Sequence, residues 1–142
     1  MDDLHSIEAC RNLIADSVQC IDAQDDERLR ERFVPDARFA RPTDPDTVIR
    51  GVDAIIAAFA ARPRTRPTQH LMAQTRITLE GPDAATGLSS LALYTADAAE
   101  PSVPGKARMG SGPLLGLYSD RFARTAEGWR FAERLGRVTL HT

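Results

Sequence analysis

The sequence lacks an excess of charge of either sign. Its 142 residues include 18 basic and 20 acidic side chains, which leaves a net charge of −2. The arginines stand among acidic residues and do not form basic clusters. Because binding to nucleic acid or to an anionic membrane depends on concentrated positive charge, we expect neither partner.

Long apolar runs are also missing. The longest run covers residues 55–61, whereas a helix that crosses a membrane needs roughly 20 apolar residues. The N-terminal segment, residues 1–5, is acidic and has neither the basic start nor the apolar stretch of a signal peptide. The sequence therefore predicts a cytoplasmic protein.

Cysteine is scarce, and so are metal and nucleotide motifs. Cys10 and Cys20 lie ten residues apart in one predicted helix, which separates their Cα atoms by roughly 15 Å. A disulfide needs less than about 7 Å, so we predict buried free thiols. There is no His/Cys/Asp cluster at metal-ligand spacing, and the glycines at 110 and 112 precede no helix that could bind a phosphate. We expect neither a metal nor a cofactor.

Hydrophobic periodicity divides the chain into helices followed by strands. Apolar residues make up 42% of the sequence, enough for the core of one domain that covers residues 1–142. The patterns predict helices over 4–23, 25–33 and 52–61, a short strand over 37–41, a turn over 42–46, and long strands over 68–80, 84–95, 114–125 and 129–140. Residues 97–113 are rich in proline and glycine and form either a lid or a connector.

This order of elements is typical of the α+β class. We predict a curved mixed or antiparallel sheet with three N-terminal helices over one face. The sheet and helices together would form a cone with an interior pocket suited to a small apolar ligand.

His70 is the residue that most directly suggests chemistry. It is the only histidine away from the chain ends, and histidine can both take and give a proton near neutral pH. Strict alternation along its strand places His70 and Met72 on one face and Leu71, Ile77 and Leu79 on the other. The apolar pattern alone would bury the second face and expose His70. A pocket on one face and a subunit contact on the other would bury both.

Several segments together resemble a known family. They are residues 21–25 with Leu29 and 33–36; Gly51 with Ile55 and Phe59; 68–70; and 117–122 with 128–134. The pattern resembles the nuclear transport factor 2-like superfamily, in its SnoaL-like, scytalone dehydratase-like branch. This resemblance spans nearly the whole chain and implies the cone-shaped fold. It does not fix the activity, since one fold hosts many functions.

The resemblance implies catalytic roles for Asp22 and His70. In dehydratase-like members, an aspartate near the end of the first helix and a histidine on the first long strand act in the pocket. A carboxylate bonded to imidazole Nδ1 fixes the tautomer and leaves Nε2 for the substrate. Dehydratases carry a second histidine where this chain has Leu93-Tyr94-Thr95. Tyr94 replaces it as a hydroxyl donor only if the strand turns it inward.

The strand patterns indicate further pocket residues. Tyr118 and Asp120 share a face, and Asp120 either lines the pocket or pairs with an arginine such as Arg121 or Arg134. Alternation places Trp129, Phe131 and Glu133 on one face of the last strand, with Arg134 opposite. The predicted substrate-binding set is Phe33, Phe39, Met72, Tyr94, Tyr118, Asp120 and Phe131.

These observations favour a cofactor-independent lyase of dehydratase type. Its substrate would be a small hydrophobic or aromatic hydroxylated compound, and His70 with Asp22 would supply acid–base chemistry. The alternatives are an isomerase or cyclase of the same fold and a non-catalytic binding domain. The resemblance also implies a homodimer or homotrimer, for which Leu71, Ile77 and Leu79 offer an outer contact.

Overall fold

The computed structural model describes residues 2–97, 109–110 and 112–142. Within these ranges the chain forms three helices, α1 (Asp3–Ala23), α2 (Asp26–Arg30) and α3 (Val52–Ala60). The strands are β1 (Phe33–Arg41), β2 (Asp44–Arg50), β3 (Thr68–Leu79), β4 (Ala84–Thr95), β5 (Leu114–Thr125) and β6 (Gly128–Leu140). Most of the 97–113 loop, predicted as a lid or a connector, lies outside the described residues.

The strands form one curved, open sheet in the order β2-β1-β6-β5-β4-β3. From β3 to β6, each strand pairs antiparallel with the next strand along the chain. Strand β1 joins this sheet by pairing parallel to β6. Helix α1 packs against β3 and β6, and α3 packs against β1. The sequence prediction of an α+β fold with a mixed sheet is confirmed.

Local sequence explains where α1 begins and ends. The Asp2 carboxylate accepts a hydrogen bond from the His5 N–H at 2.9 Å and caps the N-terminus. Gln24 ends the helix in the left-handed conformation with φ 55°. The apolar stripe of α1 faces the sheet and buries Cys10 and Cys20, which are both free thiols. Burial raises the pKa of Cys10 to about 12.

The segment around Phe33 differs from its prediction. The second helix ends at Arg30, and Phe33 begins β1 beside Phe131 of β6. The Phe131 N–H donates to the Arg32 carbonyl at 2.8 Å, so sheet pairing takes over where the helix was expected to continue. Pro35 has no backbone N–H to donate to a neighbouring strand, and it lies where the β1–β6 register shifts.

The edge strand β2 was not predicted. The turn is limited to Pro42 and Thr43, and β2 begins at Asp44 within the predicted turn 42–46. Most of β2 is exposed, so it lacks the alternation that identifies half-buried strands. Pro45 is tolerated because the strand lies at the sheet edge.

Candidate functional site

Asp22 and His70 meet between the end of α1 and the start of β3. His70 Nδ1 lies 2.6 Å from Asp22 Oδ1, and the His70 backbone N–H donates to Asp22 Oδ2 at 2.8 Å. The His70 side chain is 7% exposed and the Asp22 side chain is 21% exposed. An ionised carboxylate only accepts hydrogen bonds, so the pair is satisfied with the proton on Nδ1. Nε2 is then the ring nitrogen left for a ligand.

A third hydrogen bond positions the Asp22 carboxylate. The Thr68 hydroxyl donates to Asp22 Oδ1 at 3.0 Å, and Arg62 Nη2 donates to Thr68 Oγ1 at 3.1 Å. Asp22 therefore accepts three hydrogen bonds from β3. A line of polar contacts links Arg62 to the imidazole through Thr68 and Asp22.

His70 lines a cavity of about 250 Å³. Its polar wall contains Arg41, Thr43, Arg62, Thr68, His70 and Tyr118, and its apolar wall contains Ile21, Phe39, Pro42, Phe59 and Leu93. Most of the exposed surface in the cavity is apolar. An imidazole on the wall of such a space is placed to contact a small, mostly apolar ligand.

A bulge in β3 turns His70 inward. Ala73 pairs with Ser90 and Arg76 with Leu88, so three steps along β3 match two along β4. Gln74, at the bulge, adopts φ 52°. The extra residue reverses the alternation.

The bulge overturns the predicted grouping of Leu71, Ile77 and Leu79. Leu71 is 50% exposed on the outer face, Ile77 is 9% exposed within the core, and Leu79 packs against that core. Of these three, only Leu71 is available for the predicted outer contact. The homodimer or homotrimer itself stays a prediction.

Tyr94 does not line the His70 cavity. It pairs with Gln69 in the β3–β4 register and borders a separate outer groove together with Leu71 and Met109. Leu93, which pairs with His70, occupies the cavity wall in its place. The condition for Tyr94 to act as the hydroxyl donor, an inward-facing position on β4, is therefore not met, because Leu93 holds that position.

Tyr118 lines the cavity from β5 and is 3% exposed. Burial raises the pKa of its hydroxyl, with Asp120 raising it further and the arginines 134, 62 and 41 opposing the shift. The phenol therefore remains protonated at neutral pH and is a hydrogen-bond donor. Its ring lies under the Arg134 guanidinium, whose carbon is 3.9 Å from the ring centroid.

Asp120 and Arg134 form a buried ion pair beside the cavity. Arg134 Nε lies 3.5 Å from Asp120 Oδ1, and Arg134 Nη1 donates to Ser17 Oγ at 2.9 Å. Asp120 is 3% exposed, and desolvation raises its pKa to about 6 against the opposing effect of Arg134. Among described residues, neither Asp120 oxygen accepts a hydrogen bond. Of the two roles considered for Asp120, the structure shows the arginine pair.

The predicted alternation along β6 is wrong beyond Phe131. Phe122 pairs with Phe131 and Arg121 with Glu133, so Ala132 is an extra residue. After it, Arg134 faces inward, and Glu133 lies on the other face, where it pairs with Arg38 and Arg121. A second bulge thus exchanges the two predicted faces.

The predicted aromatic lining divides into two groups. Phe39 lines the cavity. Phe33 and Phe131 are buried in the core at 3% and 0% exposure, and Met72 packs against the core. Phe131 does not line the cavity, but its ring packs against Arg134, whose guanidinium carbon lies 4.8 Å from the ring centroid.

Arg41, Arg62 and Thr68 were not identified from the sequence. Arg41 follows Phe39 by two residues on β1, so a strand that turns Phe39 into a pocket also brings Arg41 there. That signal was available. Arg62 follows α3 in a segment without periodicity, and nothing in its local sequence sets it apart from the other arginines.

The described ranges contain no group of three or more His, Cys, Asp or Glu side chains arranged to hold a metal ion. In the same part of the chain, no helix combines the length and apolar character needed to cross a membrane.

Comparison with known proteins gives a family and a fold. The SnoaL-like domain model matches residues 2–135. A Novosphingobium aromaticivorans structure named as a candidate scytalone dehydratase is 21% identical, covering 95% of this chain and 85% of its own, with a TM-score of 0.73. An NTF2-like protein with a cystatin-like fold from the same organism is 24% identical, covering 98% and 85%, with a TM-score of 0.77.

A hexachlorocyclohexane dehydrochlorinase of type 2 has the same fold. It is 15% identical, covers 95% of this chain and 86% of its own, and has a TM-score of 0.76. No curated protein matches the sequence.

Proposed function

The chain belongs to the SnoaL-like domain family, and on that premise we propose that it is a cofactor-independent lyase of dehydratase type. The substrate class is a small hydrophobic or aromatic hydroxylated compound. One observation carries the proposal: the His70–Asp22 contact of 2.6 Å stands in the wall of a largely apolar cavity. A binding domain needs the cavity but has no need of an oriented imidazole.

The reaction begins with proton removal at His70. Nε2 accepts a proton from a carbon next to a carbonyl or an aromatic ring, and Asp22 holds the ring and takes part of the positive charge that develops. The C–H electron pair becomes a C=C bond as the neighbouring C–O bond breaks. The departing hydroxyl leaves as water with the proton that Nε2 removed, or with the Tyr118 proton, in which case the proton on Nε2 then returns to the Tyr118 oxygen. Tyr118 supports this role by lining the same cavity in its protonated form.

The names of structural relatives support elimination as the reaction class. One relative is named as a candidate dehydratase and another as a dehydrochlorinase. Loss of water and loss of hydrogen chloride share the same first demand, a base positioned at a carbon-bound hydrogen. At their low sequence identity these relatives establish only the fold. The proposal therefore depends on the geometry of Asp22 and His70 in this chain.

Isomerisation or ring closure is the second candidate. Leu93 occupies the wall beside His70 where a second histidine would serve a dehydratase. A site with one imidazole suits a proton transfer between two carbons, because the base that removes the proton also returns it. Both reactions begin with the same step at Nε2 and differ in what leaves.

The test is turnover of a panel of aromatic β-hydroxy ketones, followed by the absorbance of the conjugated product. We expect His70→Gln to lower kcat/KM by about 10² to 10⁴. His5→Gln is the matched control, because His5 also lies beside an aspartate, with Nδ1 2.9 Å from Asp2 Oδ2, but is exposed. Wild-type turnover in His70→Gln would exclude the mechanism.

The mass of the product formed in deuterated solvent separates the candidates. A lyase forms an alkene that is lighter than the substrate by one water. An isomerase loses no water, and its product carries solvent deuterium at the carbon that receives the proton. Ligand binding without turnover or hydrogen exchange would identify a binding domain.

A further inference from the structure

Two arginines without carboxylate partners share the wall of the His70 cavity. Arg41 Nη2 donates to the Ala58 carbonyl at 2.6 Å, and Arg62 Nη2 donates to Thr68 Oγ1 at 3.1 Å. Among described residues, neither guanidinium has a carboxylate oxygen within 4.0 Å, although seven arginines elsewhere in this part of the chain do. A guanidinium offers five N–H donors, so most of the donors of both residues remain available.

The two guanidinium groups both lie near the Phe59 ring on the wall of the cavity. Each carbon lies 5.9 Å from the centroid of the Phe59 ring, and both side chains line the cavity. Burial lowers the pKa of Arg62 and the positive charge of Arg41 lowers it further, while Asp22 and Asp26 oppose the shift. The same two charges act on the Tyr118 hydroxyl. Two like charges on the wall of one cavity repel each other, and an anion bound between them offsets that repulsion.

We propose that the ligand of this cavity is a small carboxylate, whose negative group binds between Arg41 and Arg62. The planar fork of a guanidinium matches the two oxygens of a carboxylate. The apolar wall of Phe39, Phe59 and Leu93 takes the remainder of the ligand. A cavity of about 250 Å³ limits that remainder to about one ring with a short side chain, since about 150 Å³ holds benzene.

The site also relates the anion to the acid–base pair. Arg62, Thr68, Asp22 and His70 are joined by successive contacts of 3.1, 3.0 and 2.6 Å. A carboxylate bound at Arg62 therefore lies on the same wall as the imidazole. The inference rests on the proposed function only for the statement that the reacting carbon faces His70. Binding of the anion does not depend on the proposed reaction.

Binding of benzoate and trans-cinnamate to the full chain tests the proposal, with benzamide and cinnamamide as neutral matches. Titrations followed by NMR of the arginine Nε–H groups give both affinity and location. We expect the acids to bind at least about tenfold more tightly than the amides, because hydrogen bonds to a charged group are the stronger ones. Equal affinity for acid and amide, or no saturable binding of either acid, would overturn the proposal.

Substitutions locate the anion. We expect Arg41→Gln and Arg62→Gln each to weaken acid binding by about tenfold or more while amide binding changes little. Arg41→Lys and Arg62→Lys, which keep the charge but lose the fork, should fall between. Arg137→Gln is the matched control, since Arg137 is exposed on β6. Arg41→Gln matters most, because it leaves the Thr68–Asp22 contacts in place, and unchanged acid affinity in both glutamine variants would refute the site.

His70→Gln separates this inference from the proposed reaction. Acid binding should persist in that variant while turnover is lost. If His70→Gln keeps wild-type turnover and the arginine variants still lose acid affinity, the reaction is wrong and the anion site stands. If turnover depends on His70 and acids bind no better than amides, the reaction stands and the anion site is wrong.

Discussion

The Asp22 carboxylate holds His70 by its ring and by its backbone at the same time. One oxygen lies 2.6 Å from Nδ1, and the other accepts the His70 backbone N–H at 2.8 Å. The backbone contact fixes where β3 begins relative to α1, and the ring contact fixes how the imidazole turns. A single acidic side chain therefore sets both the position and the tautomer of the proposed base.

The tautomer of His70 should depend on Asp22. In the wild-type protein we expect the neutral ring to carry its proton on Nδ1, as ¹⁵N chemical shifts of the imidazole would show. Asp22→Asn replaces the carboxylate with an amide that both donates and accepts, and the ring should become a mixture of tautomers. Asp2→Asn, at the exposed pair with His5, is the control and should leave His70 unchanged. A ring already protonated on Nε2 in the wild type would contradict this account.

Stability should fall as Asp120 ionises. Burial raises its pKa from 3.8 to about 6, so the folded protein binds this proton more tightly than the unfolded chain. The stabilising contribution is full below about pH 3.8 and is lost as the pH rises through about 6. Urea unfolding at a series of pH values should show this loss in the wild type and its absence in Asp120→Asn.

Ser89→Ala provides the control for that pH series. Ser89 is fully buried on the neighbouring strand, and its hydroxyl does not titrate in this range. The difference in unfolding free energy between wild type and Ser89→Ala should not vary with pH. A wild-type profile parallel to that of Asp120→Asn would refute the raised pKa.

Removing Arg134 should be costly unless Asp120 is removed as well. Arg134→Met leaves a buried carboxylate without its cation, and we expect a loss of about 3–5 kcal/mol in unfolding free energy at neutral pH. The double variant Arg134→Met with Asp120→Leu removes both charges and should recover much of that loss. Chemical unfolding of the four proteins gives the coupling energy. Simple additivity of the two changes would mean that the pair is not coupled.

Gln74 should tolerate glycine better than valine. Its φ of 52° is a conformation that a β-branched residue rarely adopts, so Gln74→Val should cost about 1–2 kcal/mol. Gln74→Gly should cost less. Gln69→Val is the control, because it makes the same chemical change at an exposed position of β3. Gln69 does not have a positive φ, and valine is favourable in ordinary strand backbone. Equal thermal stability of the two valine variants would argue against the bulge.

The long strands were predictable because their alternation and turn residues agree. Strands β4 and β5 begin and end at the predicted residues, and β6 begins directly after its turn at Gly128, whose φ of 108° suits glycine. The edge strand β2 carries no such pattern because almost none of it is buried. Phe33 was assigned to a helix because an apolar pair four residues apart cannot reveal that β6 offers it a pairing partner.

The site was predictable in part for a similar reason. Asp22 and His70 stand at positions that the family resemblance implied, and the structure brings them into contact. The facing of Arg134 depends on the extra residue at Ala132. Parity beyond a bulge cannot be read from alternation, because one extra residue reverses it. Arg41 and Arg62 line the same cavity only through the packing of α3 against β1, which no local pattern records.

The extra residue at Gln74 divides one strand between two duties. The half before it presents His70 to the ligand space, and the half after it presents Ile77 to the apolar interior. Substitutions of His70 therefore alter the cavity wall directly, whereas substitutions of Ile77 alter the packing of the core. One strand can thus change in these two respects independently.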